Sequence, residues 1–242
     1  MTQTVLITGA NRGIGLALVR RYLEAGDHVI ATCRQPDEAI DLHEMPSANG
    51  VLEIMQLDVT NGASIAALAQ KVKDMPIDIL INNAGIVSGV VGFTNGREID
   101  ETQIFGQIDP KTWMQVLQTN TIGPVMLSQA LMPSLLKSEI KKVVMVSSRM
   151  GSIADNMDPH YIAYSTSKTA LNAATKYMGL LMQSDGFTVI SINPGWVRTR
   201  MGSDAANLSP KESAARIYKV VDGLRPDQSG GFLNHTGEKI AW

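Results

Sequence analysis

The chain has 242 residues and a mass of 26.1 kDa, with 44% apolar and 18% charged residues, a balance that excludes a disordered segment and fits one folded domain. Its net charge of −2 gives no electrostatic footprint for nucleic acid or an anionic membrane, and no apolar run approaches the ~18 residues of a spanning helix. Cys33 is the only cysteine, so an intrachain disulfide is excluded, and a soluble cytoplasmic protein is expected.

Met1-Thr2-Gln3 leads straight into the first apolar run, with no basic, leader-like region before it. Short runs at residues 5–8, 29–33, 52–57, 77–81, 143–147 and 188–192 predict buried strands. Amphipathic stretches at 14–25, 63–73, 113–136, 162–183 and 210–224 predict helices between them. This alternation predicts an α/β fold, a doubly wound parallel sheet with helices on both faces (Rossmann-type). No repeat or linker divides residues 1–242, so a single domain is expected. Residues 85–109 and 195–210 fit the alternation poorly. Both follow strands, and in open α/β sheets the ligand crevice lies at the carboxyl ends of strands. They are the expected substrate-facing wall, with plain surface insertions as the alternative.

The first predicted strand runs into Thr8-Gly9-Ala10-Asn11-Arg12-Gly13-Ile14-Gly15. Gly9 permits a tight turn, Gly13 lets the backbone approach a pyrophosphate, and Gly15 allows close packing of helix on sheet. The helix that follows offers unpaired N–H groups and a positive dipole end. Gly9, Asn11, Arg12, Gly13, Ile14 and Gly15 are therefore candidate cofactor contacts, although the spacing differs from the general G-x-G-x-x-G fingerprint.

The second strand ends at Cys33-Arg34 without a carboxylate. An acidic residue there binds the ribose hydroxyls of NAD, whereas arginines attract the 2′-phosphate of NADP. Arg34 and Arg12 point to NADP (NADPH), while Asp37 and Glu38 further along keep NAD open. Asp58 and Val59 follow the third strand and are candidates for the adenine edge; Asp58 serves equally well as the start of a turn. Asn83, Ala84 and Gly85, after Asn82, would lie against the adenosine ribose, with the Asn side chains locking neighbouring strands.

Tyr164 precedes Lys168 by four residues on the helix predicted over 162–183, so the phenol and ammonium share a face. The ammonium is expected to lower the phenol pKa toward useful proton transfer, and a Ser hydroxyl alongside would hydrogen-bond a substrate carbonyl. His28, His43, His160 and His235 are scattered without partners at ligand spacing, so no metal is expected.

Together these segments resemble the short-chain dehydrogenase/reductase family over nearly the whole length. The features that carry the likeness are the glycine loop, Asp58-Val59, Asn82 to Gly85, Asn120, Ser147-Ser148, Tyr164 to Lys168 and Asn193-Pro194-Gly195, in family order. Ser148 to Asn156, Pro194 to Thr199 and the ending from Ser229 to Phe232 before Trp242 are similar to the subgroup of C-factor and Sniffer-type carbonyl reductases. The resemblance implies catalytic residues Asn120, Ser148, Tyr164 and Lys168, with Ser147 as a rival that points to the opposite face of its strand. It also implies nicotinamide contacts from Tyr164, Lys168, Pro194, Gly195, Val197 and Thr199. Thr199 as an N-cap, Asn120 as a helix kink and Trp196 as packing are the structural alternatives.

The implied activity is hydride transfer between nicotinamide and a small carbonyl or alcohol substrate, with no nucleic-acid or membrane partner. A cofactor-binding signalling protein of the same fold and an acyl-chain 3-oxo reductase are the alternatives. The resemblance further implies a homodimer or homotetramer, formed through helices at 113–136 and 162–183.

Overall fold

The computed structural model describes residues 2–46, 49–87, 101–158 and 160–242. The first half holds β1 (Thr4–Thr8), α1 (Gly13–Glu24), β2 (His28–Cys33), the single turn α2 (Ile40–His43), β3 (Val51–Gln56), α3 (Gly62–Val72) and β4 (Ile79–Asn82). The second half begins with α4 (Pro110–Leu117), α5 (Gly123–Ala130), α6 (Met132–Leu135) and β5 (Lys142–Val146). It continues with α7 (Ile162–Met182), β6 (Thr188–Asn193), α8 (Pro210–Asp222) and β7 (Gly231–Asn234). No helix among the described residues is long and apolar enough to cross a membrane.

The seven strands form one sheet in the order β3-β2-β1-β4-β5-β6-β7, with every neighbouring pair parallel. The expected doubly wound α/β fold is present. Alternate residues of each strand feed opposite faces. Val5 and Ile7 pack with Leu18 and Val19 of α1 and Ile217 and Val221 of α8. Leu6 packs on the other face with Leu68 of α3, Leu127 of α5 and Leu171 of α7. Because both faces are covered, β4 and β6 are buried along their whole lengths, and neither shows a polar face alternating with an apolar one. The strand order reverses between β1 and β4, and their carboxyl ends open side by side.

Three expectations need correction. The strand predicted over 77–81 begins at Ile79, and β7 was not predicted at all; its four residues between glycines hold only Phe232 and Leu233 as apolar signal. The helix expected over residues 113–136 starts earlier and is broken. Asp109 caps it, its carboxylate accepting from the Lys111 and Thr112 amides. A π-helical turn at Gln118–Ile122 then separates α4 from α5. Pro124 has no N–H to offer the Asn120 carbonyl four residues back. At Gly123 the helix passes close to the segment between β3 and α3, where an added Cβ would lie 2.5 Å from the Val59 carbonyl oxygen.

Candidate active site

At the switch between β1 and β4 lies an open cleft of about 1220 Å³. Its phosphate end is built by the glycine loop. Gly9 and Gly13 adopt φ values of 63° and 57°, the left-handed region in which a side chain is strained. A Cβ on Gly15 would sit 2.6 Å from Asn83 Nδ2, so only glycine lets α1 start against the sheet. No side chain caps α1 at Arg12, and its first N–H groups face the cleft. The loop is locked from β4: Thr8 Oγ1 accepts from the Asn83 and Ala84 amides, each at 2.9 Å, while Asn83 Nδ2 donates to the Thr8 carbonyl at 2.9 Å. The strand-locking role expected of the asparagines is met by Asn83, whereas Asn82 Nδ2 donates to Ser128 Oγ of α5 at 3.1 Å.

Arg12 and Arg34 both line the cleft, joined by Arg200 from the segment after β6. Partial burial lowers the Arg12 pKa, and the positive charges of Arg200 and then Arg34 lower it further. No carboxylate pairs with any of the three among the described residues. Glu38 also lines the cleft, but Gln35 Nε2 donates to its carboxylate at 2.8 Å. Asp58 and Val59 border the same region. Asp58 Oδ1 accepts from the Thr60 amide and hydroxyl at 2.9 and 2.7 Å, so the turn-forming alternative is realised while the residue still faces the cleft. The positions of these groups fit a phosphorylated dinucleotide: an uncapped helix start, a cradle that a Cβ would fill, and free guanidinium groups beyond it.

The other end of the cleft holds Tyr164 and Lys168 on α7, 7% and 4% exposed. Two residues past β5, Ser148 opens a turn that packs on α7 because Gly151 has no side chain; a Cβ there would lie 2.8 Å from the Lys168 backbone. Thr169 Oγ1 and Asn172 Nδ2 donate to the Gly151 carbonyl at 3.0 and 3.1 Å, pinning that turn. The Ser148 hydroxyl thereby reaches the Tyr164 phenol. Ser147 also borders the cleft, but its hydroxyl is engaged, donating to Asn172 Oδ1 at 2.7 Å. Asn120 is fully buried and bonds both the amide and the carbonyl of Ile86, at 2.8 and 2.7 Å, and Ser167 Oγ at 3.0 Å.

The electrostatics differ from expectation. Burial pushes the Tyr164 phenol up to about 12, opposed only by its hydrogen bond with Ser148, and burial lowers the Lys168 amine to about 8. Lys168 Nζ points at the Val146 carbonyl, 2.8 Å away, and lies 5.8 Å from the centre of the Tyr164 ring. An amine that is itself destabilised as a cation by desolvation does not offset the cost of burying a phenolate.

The remaining predicted contacts divide. Gly9, Asn11, Arg12, Gly13, Ile14, Arg34, Asp58, Val59, Asn83, Ala84, Gly85, Pro194 and Thr199 line the cleft with Tyr164 and Lys168. Gly15 and Val197 are buried behind it, and neither they nor Gly195 line it. The Thr199 hydroxyl accepts from the Gly202 amide at 3.1 Å within its own turn, while its methyl group lies over Gly13. No helix follows, so Thr199 is not an N-cap; α8 is capped by Ser209. Trp196 stands half-exposed rather than packed. Gly89, Gly92 and Gly96 of the expected substrate wall lie outside the described residues.

The sequence model of the short chain dehydrogenase family matches residues 3–208. The chain belongs to this family. The C-signal protein of Myxococcus xanthus is 36% identical over 176 residues, spanning 73% of this chain and 99% of that protein. The carbonyl reductase Sniffer of D. melanogaster superposes with a TM-score of 0.88 at 32% identity, covering 100% of both chains. An NADPH-bound carbonyl reductase from chicken fatty liver gives 0.86 at 35% identity, covering 100% of this chain and 99% of the other.

Two contributors in this short-chain dehydrogenase escape sequence reasoning. Arg200 is legible only as one more cation in an irregular stretch, and its place opposite Arg12 depends on how residues 195–210 fold. Ser165, Thr166 and Ser167 read as small spacers, yet Thr166 Oγ1 accepts from Trp113 Nε1 at 2.9 Å and Ser167 Oγ takes the Asn120 amide. Thr166 and Ser167 fasten the broken helix to α7.

Proposed function

We propose that the cleft binds NADPH and that the protein reduces carbonyl compounds bearing an apolar group, with Tyr164 as the proton donor. The observation that carries this reading is one cleft with an uncapped, glycine-cradled helix start at one end and Tyr164 and Lys168 at the other, the phenol hydrogen-bonded by Ser148. The glycine loop would hold the pyrophosphate, and Arg12, Arg34 and Arg200 the 2′-phosphate side. The NADPH-bound chicken reductase supports that choice of cofactor.

Bound nicotinamide supplies the hydride. Tyr164, kept protonated by burial, gives its phenolic proton to the substrate oxygen as negative charge develops there. An alkoxide is far more basic than a phenolate, so a raised phenol pKa does not hinder this step. Ser148 Oγ hydrogen-bonds the same oxygen. Lys168 uses one of its three N–H groups on Val146 and has others to hold cofactor ribose hydroxyls. Asn120 fixes the chain at Ile86, beside Gly85 and Lys168. Val87, Tyr161, Met150 and Met201 pack around Tyr164, and Val87 and Met201 give that end of the cleft an apolar lining, which supports a substrate with an apolar flank.

A second reading, a cofactor-binding signalling protein, is supported by the C-signal similarity. The homo-oligomer implied by the helices at 113–136 and 162–183 is supported by exposed Met114, Met126, Leu180 and Leu181 on them. An NADPH oxidation assay with aldehydes, diketones and an acetoacetyl thioester separates the enzymatic readings. Turnover of apolar carbonyls over the thioester supports the proposal, and tight NADPH binding without any turnover rejects it in favour of signalling.

A further inference from the structure

Gln103 lies in a one-turn 3₁₀ segment, Glu101–Gln103, and is fully buried. Both ends of its amide are used. Nε2 donates to the Val87 carbonyl at 2.7 Å, and Oε1 accepts from the Tyr164 backbone N–H at 3.0 Å. One partner has only a proton to give and the other only lone pairs, so the amide has one orientation.

Tyr164 is the third residue of α7, and first-turn N–H groups have no partner within a helix. The residue before α7, Tyr161, sits in the left-handed region at φ 60° and its side chain makes no capping bond. Gln103 therefore supplies from another part of the chain what an N-cap side chain ordinarily supplies locally. The bond falls on the amide of Tyr164 itself, next to the Cα–Cβ bond that aims the phenol. The other end of the same amide fixes Val87, which packs against Tyr161 and Tyr164.

We propose that Gln103 is a positioning residue: it holds Tyr164 at the angle needed for proton transfer and sets the Val87 wall against which the substrate lies. This rests on the reading of Tyr164 as proton donor. Asn120 makes a second bridge between the chain after β4 and α7, at Ile86 and Ser167, whereas Gln103 bonds the Tyr164 amide itself.

The test compares wild type, Gln103→Met and Gln103→Glu for kcat, NADPH affinity and hydrogen exchange of amides 162–164. Met fills the volume without polar atoms, whereas a Glu kept protonated by burial still accepts from the Tyr164 N–H and donates to the Val87 carbonyl. Gln103→Met is expected to lower kcat by roughly ten- to a hundredfold, since misplacing a reacting group by about 1 Å costs on the order of 10²-fold. It is also expected to speed exchange at Tyr164 and to leave NADPH affinity unchanged. Gln103→Glu is expected to restore slow exchange and most of kcat. Wild-type kcat and exchange in Gln103→Met overturn the proposal, as does a kcat loss that Gln103→Glu shares in full. If Gln103→Met does not fold, Gln103→Asn replaces it with the same expectations, because its shorter stem cannot reach both partners. Wild-type protein that binds NADPH but turns over no carbonyl counts against Tyr164 as donor instead, and exchange at amides 162–164 then still decides whether Gln103 caps α7.

Discussion

Asn120 and Ile86 are joined by two reciprocal hydrogen bonds: Asn120 Oδ1 accepts from the Ile86 amide at 2.8 Å while Nδ2 donates to the Ile86 carbonyl at 2.7 Å. A side-chain amide here imitates a neighbouring strand, extending order beyond the end of β4 to the point where Gly85 and Lys168 meet. Removing it leaves two backbone groups of Ile86 and the Ser167 hydroxyl without this partner. Asn120→Ala is expected to cost about 2–3 kcal/mol, because each buried group left unsatisfied costs roughly 1–3 kcal/mol. Urea denaturation measures it; a loss under about 0.5 kcal/mol, the range of neutral surface changes, contradicts the assignment.

Cofactor preference tests the cation cluster. Arg34→Asp replaces attraction for a 2′-phosphate with repulsion and is expected to weaken NADPH far more than NADH. A charge-assisted hydrogen bond is worth about 1.5–3 kcal/mol, so roughly ten- to a hundredfold or more in Kd is at stake. Equal losses for both cofactors, measured by titration, place the 2′-phosphate elsewhere.

Arg200 contributes through its charge as well as its contacts. Arg200→Ala is expected to weaken NADPH and to flatten the dependence of its Kd on salt, because one of three clustered cations is lost. A salt dependence as steep as that of the wild type shows that Arg200 stays in solvent when NADPH binds.

The sheet and the phosphate loop were legible because both depend on short-range rules. Fully buried parallel strands read as apolar runs, and Gly9, Gly13 and Gly15 sit where only glycine fits. The Tyr164–Lys168 spacing likewise fixes one helix face. What escaped depends on contacts far apart in sequence. Arg200 reaches Arg12 only through the fold of 195–210, and Gln103 reaches Tyr164 across 61 residues. The kink at Asn120 is one of the expected roles of that residue, but the apolar periodicity over 113–136 runs across the break and reads as one helix. The pKa shifts reverse expectation because a spacing of four residues says nothing of desolvation.

Those shifts carry a pH signature in the cofactor-free protein. Lys168 is lowered to about 8 in the folded state from an ordinary 10.5. Between these values the unfolded chain binds more protons, so this group makes stability rise with pH across that window, and its full penalty is present below about 8. Tyr164, raised to about 12 from 10.0, makes stability fall with pH between those values. The stability advantage of Lys168→Met over wild type is therefore expected to shrink from pH 7 to pH 10, read from urea midpoints. Parallel pH curves for the two proteins show that Lys168 is not desolvated as described.

The proton donor is tested most directly by NADPH oxidation in wild type and Tyr164→Phe with an apolar ketone, alongside NADPH affinity for each. Loss of a positioned acid removes on the order of 10²–10⁴-fold of the rate. A fall in kcat of that size with NADPH affinity intact is the expected result. Turnover retained by Tyr164→Phe would contradict it and move the proton to another group.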